Sequence, residues 1–514
     1  MELVVKKKLL SMALLTSSAL ITLPSLATEL SVKQVGYFSE TEKCVEKESC
    51  TEISAFSAKA NRVYATNADS NGIRMLNVSS SGELKDAGFI DLSNYGGGPN
   101  SVAVFDDLVA VAVEADSKQA NGSIVLFDLV GKPAKVKGLK GNVIEAGALP
   151  DMVTFSPDGK YIIAANEGEP SKDYKVDPEG SVTVIDTTTW KARKATFTKY
   201  KGKSLKDVRV FGPNANFAQD MEPEYITVSK DSKTAWVGLQ ENNALAVVDL
   251  AKAEVTDVVA LGFKDHSKAE NAIDASNKDG KINIATYPVK GMYMPDAITS
   301  VSANGKTYIL TANEGDSRDY DGFSEEVRVA DLKLDPEAFP NAAELQDKKV
   351  LGRLKTTTTM GDTDGDGDFD EIYSYGGRSF SVWSEDGQLV WDSGNQFAKK
   401  IAELRPEDFN GQLEDGKYQM DDRSDDKGGE PESITVGTLN DRQYAFIGQE
   451  RTGGIFVYDV TNPEAPSYVQ YINNAMDNVS PEGLSFIQRN ANTGWLLISC
   501  EISNTVSITE VKAQ

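Results

Sequence analysis

Apolar and polar positions along this chain alternate in short runs divided by Gly, Asn, Asp and Ser turns, a spacing that predicts strands rather than helices. The runs repeat as a grammar. Each copy opens with Pro plus an acid or amide, passes through a short strand, turns at polar residues, climbs a second strand to a Glu, and later adds a third strand. The openings are Thr51-Glu52, Pro99-Asn100, Pro150-Asp151, Pro223-Glu224, Pro295-Asp296, Pro431-Glu432 and Pro481-Glu482. Second strands end at Glu114, Glu167, Glu241, Glu314, Glu450 and Glu501, with Asn67 in the first copy. Third strands are expected at 72–78, 123–129, 181–186, 244–250, 379–384, 454–460 and 505–511. A strand repeat of roughly 40 to 50 residues, insertions discounted, is the signature of a β-propeller, whose blades bury their faces only against neighbours. The chain is therefore read as all-β, a seven-bladed β-propeller.

In that fold the first strand of each blade lines the central channel and the second returns beside it. The opening acids and the returning Glu residues then meet at one mouth. The other rim receives tight hairpins such as Ser156-Pro157-Asp158-Gly159 and Ala303-Asn304-Gly305. Long insertions at 168–179, 191–222, 262–294, 315–377 and 395–430 fall on the acidic rim, where sites are usually built. The last copy lacks a fourth strand, and 31–38 is expected to supply it, closing the ring and removing an exposed edge.

Composition narrows the setting. The 514 residues are 40% hydrophobic, enough for an extensive core. Lys6, Lys7 and Lys8, an apolar run over 9–23 and Ser25-Leu26-Ala27 read as a signal peptide over 1–27, too short and too interrupted for a membrane span. Residues 28–514 are then a periplasmic or secreted propeller, expected as a monomer. A formal charge of −25 argues against nucleic-acid partners and in favour of cations. Cys44 and Cys50 bracket a short loop suited to a disulfide, with two free thiols as the alternative, and Cys500 reads as buried packing. His266 is the only histidine and lies in a polar stretch, which disfavours a His-based triad.

Carboxylates gathered at one mouth must be protonated, paired with Lys or Arg, or compensated by bound cations. The repeat columns hold few basic residues, Arg451 being the clear exception. Metal is therefore expected at Asp151, Glu167, Glu224, Asp296, Glu314, Glu432, Glu450 and Glu482, against an alternative in which these acids bond to backbone amides of adjacent blades. An all-oxygen set suits Ca²⁺, with Mg²⁺ or Mn²⁺ as alternatives, better than zinc. Within the 315–377 insertion, Asp362, Asp364, Asp366, Asp368 and Asp370 occupy positions 1, 3, 5, 7 and 9 of a calcium-type loop with Gly367 at position 6. Tyr373 stands at position 12 in place of Glu, so the loop lies outside a true EF-hand; its expected role is to order the insertion, unless it is a solvated acidic turn.

The segments Gly377-Arg378-Ser379-Phe380-Ser381-Val382-Trp383, Leu389-Val390-Trp391-Asp392-Ser393-Gly394-Asn395 and 421–432 resemble the choice-of-anchor I family of secreted propellers. That family includes mesenchyme-specific cell surface glycoprotein-like proteins and an atypical group of bacterial alkaline phosphatases. The resemblance covers about 30–512 and implies a seven-bladed, phytase-like or quinoprotein-like propeller; phosphatase activity belongs to only some relatives. With the chain ending at Gln514, the anchor that names the family is expected to be absent. Two functions follow as expectations. One is divalent-metal-dependent phosphoester hydrolysis of the alkaline phosphatase type at the acidic mouth, with Arg378 and Arg451 clamping phosphate or, alternatively, offsetting the acids. The other is a calcium-stabilised, non-catalytic propeller that binds a protein, glycan or surface polymer, with Tyr287, Tyr293, Tyr320 and Tyr418 exposed in its loops.

Overall fold

The computed structural model describes residues 29–40, 51–200, 205–414, 417–473 and 478–514. The signal-peptide reading over 1–27 and the Cys44–Cys50 pairing both fall outside the described residues. Seven four-stranded antiparallel sheets follow one another along the chain. Their innermost strands are Ser54–Ser57, Gly98–Phe105, Pro150–Phe155, Pro223–Val228, Ile298–Ala303, Pro431–Leu439 and Pro481–Gln488. Each innermost strand touches that of the next sheet, and the seventh returns to the first, so the sheets stand as blades around an axis. This is the expected β-propeller.

The ring is held by apolar side chains between sheets. Middle strands such as Tyr161–Asn166 and Thr493–Cys500 are buried along their whole length, because a neighbouring blade covers each face. A separate apolar cluster fills each blade interface: Ile163 meets Val237 between the third and fourth sheets, and Val63 meets Trp495 where the seventh meets the first. Closure is as anticipated: Ser31–Ser39 pairs antiparallel with Thr505–Lys512 as the outermost strand of the seventh sheet. At the rim away from the acids, Asn304 and Gly305 both take positive φ, 53° and 75°, giving the twist a two-residue hairpin needs between Ala303 and Lys306.

The insertions differ from the loops expected of them. Lys191–Thr196 is the outer strand of the third sheet, so that insertion begins later. Segments from 262–294 and 315–377 form a five-stranded sheet of their own, and Gln396–Leu404 is a helix. They enclose a second core of Ile273, Val289, Val329, Leu334, Leu351, Leu354 and Ile372, since stretches this apolar bury themselves when brought side by side. Tyr287 and Tyr293 are buried in this region rather than exposed, while Tyr320 and Tyr418 are half-buried. His266 is also buried; its Nδ1 lies 2.7 Å from the Asn271 carbonyl, and burial holds the ring down at about 3, hence neutral.

Trp383, 1% exposed, donates its indole N–H to Thr311 Oγ1 at 2.9 Å and packs edge-on against Tyr293. Trp383→Ala is expected to destabilise the fold by about 3–5 kcal/mol, read as a lower urea midpoint.

A candidate acidic cation site at the channel mouth

Local backbone chemistry turns the opening acids inward. Pro150, Pro223, Pro431 and Pro481 begin inner strands and Pro99 is the second residue of its own, places where the missing N–H is tolerated, and after each the inner strand carries one residue more than its partner. Such a bulge re-aims side chains. Just before four of the Pro-acid pairs, Leu149, Met294, Glu430 and Ser480 hold φ of 46°, 45°, 55° and 62°. Left-handed backbone at non-glycine residues costs roughly 1–2 kcal/mol each, and these four positions carry that cost directly before the mouth's opening residues.

The result is an axial cavity of about 570 Å³ lined by one position from every sheet: Glu52, Asn100, Asp151, Tyr225, Asp296, Glu432 and Glu482. Returning acids join them. Oxygens of Asp296, Glu314 and Glu432 lie within 4.8 Å of one another, as do those of Glu314, Glu430 and Glu450, and those of Glu450, Glu482 and Glu501. Asp296 and Glu432 stand close enough to perturb each other's carboxyl groups. Burial, reinforced by the charges of Asp296 and Glu52, pushes Asp151 up to about 7; burial and Glu430 do the same to Glu450. Glu167, Glu224, Glu314, Glu432 and Glu482 are raised well above the carboxylate range, by burial first and then by neighbouring acids. All eight ring acids expected as ligands are thus brought to one mouth.

The insertions add Arg318, Arg423 and Lys427 to Arg451 of the repeat columns. Lys427 pairs with Glu314 and, at 3.3 Å, with Glu430. Arg423 reaches Glu430 at 2.6 Å, and Arg451 spans Glu430 at 3.2 Å and Glu450 at 2.9 Å. Burial opposes ionisation of Glu430, yet Lys427, Arg423 and Arg451 hold it at about 2. Arg318, itself buried, pairs with Asp220 and with Glu222 at 2.9 Å. The expectation of few basic partners is therefore corrected on the side of the fourth to sixth sheets. The signal was present: Arg318 lies four residues after Glu314, and Arg423 and Lys427 shortly precede Pro431-Glu432. Buried oxygens of Glu224, Glu241 and Glu432 on this same side, and of Glu482 on the seventh sheet, have no hydrogen-bond partner.

The arginines expected to clamp phosphate are engaged within the protein. Arg378 donates to the carbonyls of Asp274, Ser424 and Asp426, fastening two insertions together, and Arg451 sits in its two ion pairs. In this arrangement Arg378 ties the insertions together and Arg451 offsets charge on Glu430 and Glu450. In the acidic loop, the carboxylate oxygens of Asp362, Asp364 and Asp370 converge within 4.8 Å. Asp362 accepts from the N–H groups of Gly365 and Gly367, and Asp370 from that of Thr363. Asp366 and Asp368 depart from the expected five-ligand set: Asp366 accepts from the Asp368 N–H, and Asp368 turns to Lys333 at 3.1 Å. Asp335, from another segment, closes on Asp368 and Asp370, a neighbour no local motif announces. Cys500 is buried and its thiol pushed up to about 12 by burial, as packing requires.

A profile of the choice-of-anchor I domain matches residues 52–463. The chain belongs to the choice-of-anchor I family. Among curated relatives, it is 30% identical over 334 residues to the mesenchyme-specific cell surface glycoprotein of Strongylocentrotus purpuratus, a match covering 58% of this chain. It is 37% identical over 118 residues to gigasin-3a of Magallana gigas, covering 22% of this chain. Each match spans 41% of the relative's own length. Similar solved structures include hydrazine synthase of Kuenenia stuttgartiensis, at 12% identity and TM-score 0.47, covering 92% of this chain and 98% of that one. The WD40 domain of Toxoplasma gondii coronin follows at 10% and 0.44, covering 95% and 89%. Among the described residues of this family member, no helix is long and apolar enough to cross a membrane.

The raised acids set a pH dependence. Folded Asp151 and Glu450 keep protons up to about 7, whereas unfolded carboxyls lose them near pH 4. Between those values the folded state binds more protons, so this contribution is full below about pH 4 and is lost as pH rises through about 7. Glu430 acts oppositely, its contribution being lost only as pH falls towards about 2. Chelator-treated protein should therefore melt progressively lower from pH 5 to pH 8, with saturating Ca²⁺ removing the decline. A flat profile by differential scanning calorimetry would contradict this electrostatic picture.

Proposed function

We propose that this family member is an extracytoplasmic, monomeric propeller that binds divalent cations at its acidic mouth and uses them to hydrolyse phosphoesters. The observation that carries the reading is the set of buried, donorless oxygens on Glu224, Glu241, Glu432 and Glu482. Buried charge without a partner is costly, and hard cations satisfy carboxylate oxygen directly. Asp296, Glu314 and Glu432 would hold one ion, and Glu450, Glu482 and Glu501 another. When bound, a Ca²⁺, Mg²⁺ or Mn²⁺ ion polarises a phosphoryl oxygen and offsets its charge. Asp151, pushed up to about 7, can hold or release a proton at its carboxyl oxygen near neutral pH. Lys427 and Arg451 temper the acidity of their side of the mouth, which eases approach of an anionic substrate. At the second candidate, Asp362, Asp364 and Asp370 would hold Ca²⁺ and tie the inserted sheet together.

Two observations favour a second reading, a calcium-stabilised propeller that binds a protein, glycan or surface polymer. The first relative is a cell surface glycoprotein, and Arg378 is spent on backbone carbonyls.

Protein stripped by chelator and reloaded with Ca²⁺, Mg²⁺ or Mn²⁺ tests both. On the first reading it regains turnover of a chromogenic phosphomonoester or diester, and Glu432→Gln lowers that turnover at least a hundredfold with little change in melting temperature. A rise in melting temperature on reloading, with no turnover for any ion, would leave the binding propeller in its place. In the same titration, Asp364→Asn should remove one class of calcium sites by calorimetry and leave the mouth sites intact.

A further inference from the structure

The acidic cavity does not end blindly. A second cavity of about 1000 Å³ lies along the inner strands, and both cavities are lined by Ile53, Ser101, Met152 and Tyr225. The two cavities therefore adjoin at a waist formed by these four residues.

Its two sides differ. On the seventh, first, second and third sheets, which are neighbours in the ring, the second cavity is lined by Phe486, Phe56, Phe105 and Phe155. Phe105 stacks on Phe155 at 5.6 Å between ring centroids and is 37% exposed. Glu482 and Phe486, Glu52 and Phe56, and Asp151 and Phe155 each stand four residues apart, about 13 Å at about 3.3 Å per residue. An acid at the mouth is thus followed by an aromatic ring deeper in the bore. On the fourth to sixth sheets the corresponding positions are Val228, Ser300 and Val436, and Thr227 hydrogen-bonds across to Ser300 at 2.9 Å.

The aromatic side lies away from Arg318, Lys427 and Arg451, which pair with acids of the fourth, fifth and sixth sheets and their approaches. A cation on the aromatic side, the exposed Lys118, reaches Glu169 at 3.8 Å. There Glu482 lines the mouth with a buried Oε2 that accepts no hydrogen bond. Such an oxygen calls for a donor that also carries positive charge. Tyr225 at the waist adds a ring face to the path of a cation.

We propose that the channel binds an alkylammonium amphiphile, with the ammonium head among Glu482, Asp151 and the neighbouring acids and the hydrocarbon tail along Phe486, Phe56, Phe105 and Phe155. The head supplies N–H donors to the donorless Glu482 oxygen, and the tail covers the exposed Phe105 and the parts of Phe56, Phe155 and Phe486 left open to the bore. This goes beyond the divalent-ion reading, since it needs no metal and assigns a ligand to the bore as well as the mouth.

Calorimetric titration of chelator-treated, full-length protein with primary amines from butylamine to octylamine tests it separately from metal binding. Kd should fall about fourfold per added methylene, the fold-change for burying one CH₂ group. Glu482→Gln should weaken every amine at least tenfold, with Asp151→Asn as a second rim variant if the first unfolds. Phe105→Ala, at a partly exposed site, should weaken octylamine about tenfold and leave butylamine within twofold. Octanol and octanoate should not compete. Absence of binding, affinity independent of chain length, or equal binding of octanol would overturn the proposal.

Discussion

Like charge held out of water is the constraint around which this protein is arranged. Seven apolar interfaces fix the blades in a ring, and bulges behind the opening prolines swing carboxylates of successive blades into one mouth. Repulsion between the acids opposes that closure, and the apolar packing overcomes it. Mutual repulsion and burial together keep Asp151 and Glu450 protonated up to about 7, so the mouth titrates as a coupled set rather than as independent acids.

The insertions answer part of this charge. Lys427, Arg423, Arg451 and Arg318 come down on the side of the fourth to sixth sheets, where Glu430 is held ionised at about 2. Arg318 stands in an insertion with a core of its own, and Arg378 fastens the segment carrying Arg423 and Lys427 to the 262–294 insertion through backbone carbonyls. The opposite side keeps donorless oxygen at Glu482 and lies above the aromatic part of the bore. The side of the seventh, first, second and third sheets therefore combines acidic oxygen with aromatic surface, an asymmetry that ligands can exploit.

Membership of the choice-of-anchor I family fits this architecture. The matches to curated relatives span 41% of those proteins' own length, so only part of each relative is shared with this chain. What the module does is decided by its mouth and its inserted segments, since a propeller ring serves many functions.

The blade pattern was legible in the sequence because strand alternation, turn residues and Pro-acid openings are local, and the ring that the blades form follows from how they pack. For the same reason the convergence of Asp151, Glu167, Glu224, Asp296, Glu314, Glu432, Glu450 and Glu482 could be read from their places in the repeat. The pairing of Arg318 with Glu222, the turning of Asp368 towards Lys333, the approach of Asp335 to Asp370 and the burial of His266 could not. Those contacts join segments distant in the chain and outside the repeat, so no periodicity encodes them. The sequence by itself determined that many acids meet at one mouth; only the tertiary structure decided which of them have partners, because insertions without a repeat find their neighbours through long-range packing alone.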